Sequence, residues 1–338
     1  MYSTCTIILA AGKGTRLRSS KPKVMHEILG EPLIRYSVDL SSRVSDTCIA
    51  VIGHGRDLVE SYLESSAVIR VIQEPQLGTG HAILLAQPAL ENTGHDAVII
   101  LPGDMPLIRE ESLHGLVQSF RNADADLGVL TAHLPDPHGY GRIIRSAGGN
   151  VAAIVEEQDA SDDQRRIHEV NTGVYILRKE FLLNAVKNLT RENAKGEFYL
   201  TDIVEMADPA ISYEVADSNE AHGINSRAQL VFAQARLQER VNTALMCNGV
   251  TIYDPAHTWI GVHATFDTDV EVWPNVHILG QSRIGKNVRI LPNTWIRDSI
   301  IGNGSVIGHG CVIEQSTVDP GSCIEPYSRT GHQPHSND

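Results

Sequence analysis

Apolar residues along the first 125 positions fall in short runs separated by amphipathic stretches. Residues 5–9, 49–52, 68–72 and 97–101 are apolar runs the length of buried strands. Residues 33–40, 56–63 and 79–90, lying between those runs, carry helical spacing. Strands alternating with helices predict a parallel sheet covered on both faces. Such sheets bind ligands beyond the carboxyl ends of their strands. The loops that start at Ala10, Gly53, Gln73 and Pro102 all leave such ends and can converge on one site. After residue 125 the pattern becomes mixed. Residues 126–133, 151–156 and 170–177 read as further strands, and 226–248 as one long helix with Leu230, Leu237, Val241 and Leu245 on a single stripe. Asn248-Gly249 is its stop signal.

From Ile260 the period changes to six. Ile260, Phe266, Val272, Ile278, Ile284, Ile290 and Ile296 follow one frame; after a five-residue step come Ile301, Ile307 and Ile313, and after another Val318 and Ile324. Small or branched residues such as Ala264, Val276, Ser282, Thr294, Ser305 and Cys311 recur four positions after them. This is the hexapeptide pattern of a parallel β-helix, in which each repeat is a short strand and a corner and three repeats close a triangular coil. About four coils are expected, and such helices assemble side by side, so a homotrimer is expected. Residues 329–338 carry no pattern and are expected to be a disordered tail.

Charge narrows the functional classes. The 338 residues carry 28 Lys+Arg against 41 Asp+Glu, a net charge of −13. That balance excludes a general nucleic-acid binder and an electrostatic membrane binder. No apolar run reaches the roughly 20 residues of a membrane span. The apolar start has no basic segment before it, so no signal peptide is expected. Five scattered cysteines without a C-x-x-C pair indicate neither a disulfide framework nor a zinc site, and a reducing cytoplasm is the expected location. Five cations (Lys13, Arg16, Arg18, Lys21, Lys23) cluster in 11 residues without a carboxylate. They suggest a small anionic ligand, although a solvated basic loop would look the same.

Gly12-Lys13-Gly14 starts like a dinucleotide fingerprint, but position 17 is Leu where a third glycine would stand, and no P-loop pattern occurs. What remains is a strand end with two glycines and nearby cations, and backbone amides in such a turn can bind phosphate oxygens. The segment Leu9-Ala10-Ala11-Gly12-Lys13-Gly14-Thr15-Arg16-Leu17, with Pro22-Lys23-Val24 after it, resembles the signature of sugar-nucleotide pyrophosphorylases. Further on, the likeness narrows to the bifunctional N-acetylglucosamine-1-phosphate uridyltransferase/acetyltransferase family. Gln73-Glu74-Pro75-Gln76-Leu77-Gly78-Thr79-Gly80-His81-Ala82 resembles its uracil-binding loop. Gly139-Tyr140-Gly141-Arg142-Ile143, Ile154-Val155-Glu156-Glu157 and Asn171-Thr172-Gly173 resemble its sugar pocket. The segments 196–202 and 223–227 also fit, and the motifs stand in the family's order.

The resemblance implies an α/β fold: a Rossmann-like nucleotidyltransferase domain (residues 1–227), a connecting helix (228–249) and a short left-handed parallel β-helix (250–328). It implies a reaction of UTP with a sugar 1-phosphate, giving a UDP-sugar and pyrophosphate. By the same resemblance, Leu9, Ala10, Ala11 and Gly12 hold the nucleotide, and Gln73, Gly78 and Thr79 read the uracil. Arg16 and Lys23 are the catalytic cations, Asp104 and Asn225 bind Mg²⁺, and Gly141, Glu156 and Asn171 contact the sugar. Asn225 could instead cap the long helix, and the resemblance favours the ligand role. Two departures stand out. Pro102 takes the place of the family's aromatic residue before Gly-Asp, which alters the floor near the sugar or ribose. The β-helix is shorter than in bifunctional members, so no acetyltransferase activity is expected. Two alternatives stay open at this point: the same chemistry on another sugar 1-phosphate or nucleotide, and a non-catalytic trimeric protein that binds UDP-sugars.

Overall fold

The computed structural model describes residues 3–331. The chain forms two compact units. One comprises the chain up to His26 together with Pro32–Leu230; the other comprises Glu27–Glu31 and the chain from Val231 on.

The first unit is built on a mixed sheet. Its main path runs Ala210–Glu214, Leu127–His133, Glu169–Arg178, Ala97–Pro102, Thr4–Ala10, Thr47–Ile52 and Val68–Ile72. All neighbours on this path are parallel except at Glu169–Arg178, which is antiparallel to both of its partners. The central strand is buried on both faces because its side chains alternate between two cores. Cys5 and Ile7 pack with Ile83 and Leu90 on one side, while Ile8 and Ala10 pack with Ile34 and Val59 on the other. The expected helical stretches appear as Leu33–Val44, Arg56–Leu63 and Thr79–Glu91. The sheet order reverses direction between Thr4–Ala10 and Ala97–Pro102. Crossovers leave opposite faces there, and a crevice opens beyond the two carboxyl ends. Gly103 N–H donates to the Leu9 carbonyl at 2.9 Å and ties the two ends together.

The second unit contains three small sheets of short parallel strands, the expected left-handed β-helix. Ile278 pairs with Ile296, three six-residue repeats on. Ile296 pairs with Ile313, a coil shortened by one five-residue step. The period-six residues point inward: Ile260, Val272, Ile278, Ile290, Ile296, Ile307 and Ile313 are fully buried. Asn275, Asn287, Asn293 and Asp269 take φ values of 57°, 58°, 60° and 63° at corners, the left-handed conformation that Asn and Asp tolerate better than other side chains. The first coil begins at Val250–Ile252, ahead of the apolar series read from Ile260.

The long helix is Arg227–Cys247. Within the second unit Leu237 is buried, and Val241 and Leu245 pack on the β-helix core. Two amides share that buried face. Gln238 Nε2 donates to the carbonyls of Pro255, Ala256 and Thr258, and Asn242 Nδ2 to those of Pro255 and Thr258, at 2.7–3.0 Å. They satisfy backbone acceptors of the first coil that have no preceding coil to pair with.

One expectation needs correction. Arg329–Thr330 form a strand paired with Val312 and Ile313 rather than part of a patternless tail. Thr330 stands in the period-six position, and its hydroxyl hides the frame from a search for apolar residues. Residues 332–338 lie outside the described residues. No helix among the described residues is long and apolar enough to cross a membrane.

Candidate functional site

A cleft of about 650 Å³ opens at the strand ends of the α/β unit, within the size range of small-ligand sites. Leu9, Ala10, Ala11, Gly12 and Lys13 form one wall where the central strand runs out. The turn beyond them depends on Gly14. Its φ is +60°, and a side chain there would place its Cβ 2.7 Å from the Cβ of Lys23. The turn continues into one turn of 3-10 helix, Thr15–Leu17, with Leu17 buried and Arg16 exposed.

Lys23 reaches across the crevice. Its ammonium forms an ion pair with Asp104 Oδ2 and donates to Asn225 Oδ1 at 2.7 Å. The backbones that carry these oxygens are fixed: Ile224 N–H donates to the Asp104 carbonyl at 3.0 Å, and Asn225 N–H to Gln229 Oε1 at 2.8 Å. The Asp104 carboxylate and the Asn225 carbonyl thus converge on one cation. This fits the Mg²⁺ that the sequence reading assigns to them, since that ion takes one or two protein oxygens and completes its shell with water and substrate phosphates. Among the described residues no group of three or more His, Cys, Asp or Glu could hold a metal.

The second wall is the loop 73–80 with the segment 197–201. Gln73 is buried; its Nε2 donates to the Gly78 carbonyl at 2.9 Å and lies 3.2 Å from His81 Nδ1. Phe198 binds the loop on both sides, its N–H donating to Leu77 O and its carbonyl accepting from Gly80 N–H, each at 2.8 Å. Leu200 N–H donates to Thr79 Oγ1 at 3.1 Å. Gly78 has φ +107°, and a Cβ there would stand 2.5 Å from the Phe198 carbonyl oxygen, so only glycine permits this approach.

The third wall comes from the strands Val151–Val155 and Glu169–Arg178. Asn171 N–H donates to the Gly141 carbonyl at 2.9 Å. The Asn171 side chain donates to Tyr175 Oη at 2.7 Å and accepts from Gly173 N–H at 2.9 Å. The ladder shifts register between Asn171 and Tyr175, and both side chains line the cleft. Burial raises the pKa of Glu156; Asp159, Asp202 and Glu197 push it the same way, and Lys195 opposes them. Burial also drives the Tyr175 hydroxyl well above its ordinary range. Pro102 forms part of the floor, with its Cγ 3.3 Å from where a Gly173 Cβ would lie.

Eleven residues named from the sequence line this one cleft: Leu9, Ala10, Ala11, Gly12, Lys23, Gln73, Gly78, Thr79, Asp104, Glu156 and Asn171. Three do not. Asn225 touches the cleft through Lys23, Gly141 lies behind Asn171, and Arg16 is exposed outside the walls. Lys13, one of the clustered cations, also lines it, as do Gln76, Tyr175, Glu197 and Thr201, none of which the sequence assigns an individual role. Glu197 and Thr201 lie in a motif that the resemblance had marked. Tyr175 had a further signal, standing four residues after Asn171 on the same strand.

Comparison with known proteins agrees with this geometry. The model of the MobA-like NTP transferase domain matches residues 6–174. Bifunctional protein GlmU of Caldanaerobacter subterraneus subsp. tengcongensis is 41% identical over 308 residues, covering 90% of this chain and 67% of that protein. Bifunctional protein GlmU of Geotalea uraniireducens is 42% identical, over 90% of this chain and 68% of its own length. That of Geobacter metallireducens is 43% identical, over 89% and 64%. The chain therefore spans about two thirds of the length of these relatives. The domain match and the long alignments agree: the chain belongs to the GlmU family and carries its MobA-like NTP transferase domain.

Proposed function

We propose that the cleft transfers a uridylyl group from UTP to N-acetylglucosamine 1-phosphate, giving UDP-N-acetylglucosamine and pyrophosphate. The observation that carries this reading is the convergence of Lys23, Asp104 and Asn225 beside the strand-end turn 10–13, with amide and carboxylate walls on either side.

In this reading the backbone of Leu9, Ala10, Ala11 and Gly12 cradles the nucleotide. Gln73 offers its amide, and Gly78 and Thr79 their polar groups, to the uracil edge. Glu156 and Asn171 face the sugar, where an amide and a carboxylate suit hydroxyl and N-acetyl groups, and Gly141 supports Asn171 from behind through its carbonyl. Asp104 and Asn225 would hold Mg²⁺, which supplies charge neutralisation on the triphosphate. An oxygen of the sugar phosphate attacks the α-phosphorus in line, the bond from that phosphorus to the bridging oxygen breaks, and pyrophosphate leaves with the electron pair. Little covalent chemistry falls to the protein, so positioning and preorganised charge supply the rate. Lys23 serves from within the cleft, and Arg16 from its rim, where a long exposed side chain can fold over bound phosphates. The β-helix supports assembly, proposed as a homotrimer and checked by light scattering of the full chain. The proposal covers uridylyl transfer alone.

Phosphorus NMR of a mixture of protein, Mg²⁺, UTP and N-acetylglucosamine 1-phosphate tests the reading. Equal amounts of a UDP-sugar and pyrophosphate are expected, and unchanged substrates would refute it.

A further inference from the structure

The oxygens assigned to the metal already hold a cation. Lys23 Nζ is paired with Asp104 Oδ2 and donates to Asn225 Oδ1, and the side chains of Lys23 and Asp104 are only 14% and 16% exposed. A divalent ion bound by both oxygens would lie about 2.0–2.1 Å from each, in the space the ammonium fills. The two cations cannot share that space, and their mutual repulsion in a half-buried cleft is severe.

The oxygens and the lysine differ in freedom. The backbones of Asp104 and Asn225 are tied in place, the first by Ile224 N–H donating to its carbonyl and the second by its own N–H donating to Gln229 Oε1, and their side chains are short. The Lys23 stem is confined at its base by Gly14, but its head is a flexible point charge with three donors. Lys23 also lines the wall shared by Ala10, Ala11, Gly12 and Lys13, so an ammonium displaced from the oxygens remains within the cleft.

We propose that Lys23 is an internal cation that occupies the Asp104–Asn225 pair in the nucleotide-free protein, and that a divalent metal enters by displacing it toward the phosphates. The inference rests on the metal reading of Asp104 and Asn225. It makes the apparent metal affinity of the free protein the intrinsic affinity reduced by the fraction of molecules whose ammonium is away. Phosphates that attract Lys23 raise that fraction, so triphosphate and metal bind with positive coupling, and the coupling is reciprocal.

The test is Mn²⁺ binding to the full chain without nucleotide, read from the paramagnetic resonance of free Mn²⁺. Lys23→Met is expected to bind at least about tenfold more tightly than the unsubstituted protein, the factor for an ammonium engaged roughly nine tenths of the time. Asp104→Ala is expected to lose binding. A second measurement uses the unsubstituted protein and does not depend on the variant folding. Acylation of Lys23, followed by mass spectrometry, is expected to rise when Mg²⁺ alone is added and to fall when UTP follows, with Lys13 unaffected by Mg²⁺ alone. Equal Mn²⁺ affinity in Lys23→Met and the parent, or Lys23 labelling indifferent to Mg²⁺, with binding still lost in Asp104→Ala, would overturn the displacement and leave the metal assignment standing. No Mn²⁺ binding by any form, with unchanged labelling, would remove the metal assignment and the displacement with it.

Discussion

Gly14 and Lys23 are packed so closely that a Cβ on Gly14 would stand 2.7 Å from the Cβ of Lys23. The turn that shapes the strand-end wall therefore also directs the lysine that reaches Asp104 and Asn225. Gly14→Ala should destabilise the protein by about 1–2 kcal/mol from its left-handed backbone alone, with the clash adding to that. It should lower kcat by more than the loss of folded protein explains, because Lys23 must shift. Urea unfolding and pyrophosphate release, measured on the same preparation, separate the two effects.

Asp104→Ala should abolish turnover and leave the fold intact. The Asp104 backbone remains tied to Ile224, so only the charge at the cleft is lost. Circular dichroism and pyrophosphate release check this; unchanged activity would remove Asp104 from the metal site.

Gly78→Ala places a Cβ 2.5 Å from the Phe198 carbonyl at φ +107°. Relieving that clash must separate the loop 73–80 from the segment that holds it. The expected result is a rise in KM for the nucleotide of about tenfold or more, the order of 1.4 kcal/mol of lost binding, with a smaller change in KM for the sugar phosphate.

The raised pKa of Glu156 makes a signed prediction. Burial, with Asp159, Asp202 and Glu197, lifts it above its unfolded value. The stability tied to its protonated form is complete below the unfolded pKa and is lost as pH rises through the folded one. Near neutral pH the ionised carboxylate therefore costs stability. Glu156→Gln should melt higher than the parent at neutral pH, with the advantage vanishing in acid below the ordinary carboxylate range, and its activity should fall. A Tm advantage that grows in acid would contradict this account.

The β-helix core should respond as a packed interior. Ile296 is fully buried between Ile278 and Ile313 in its column. Ile296→Ala should cost about 2–5 kcal/mol, seen as an earlier thermal transition.

The sequence made periodic features easiest to read. The six-residue frame was visible because each coil repeats the same inward position, and Thr330 escaped notice because a hydroxyl stands where an isoleucine had recurred. Gln238 and Asn242 escaped for a related reason: amides on a helix look solvent-facing until the orphan carbonyls of Pro255, Ala256 and Thr258 are seen. The strand Ala210–Glu214 lies at the sheet edge, half-buried, without the unbroken apolar run that marked the central strands. In the cleft, the strand-end turn was legible from local pattern, and Asp104 only through the family resemblance. The contact of Lys23 with Asn225, 202 residues away in sequence, was not. Tyr175 was signalled only by its spacing of four from Asn171, which puts both on one strand face; the register shift between them has no local pattern.

Steady-state pyrophosphate release with Mg²⁺, across a panel of nucleoside triphosphates and sugar 1-phosphates, tests the central claim most directly. The account predicts the highest kcat/KM for UTP with N-acetylglucosamine 1-phosphate, and loss of that activity in Lys23→Met and Asp104→Ala. Absence of release with every pair would contradict it.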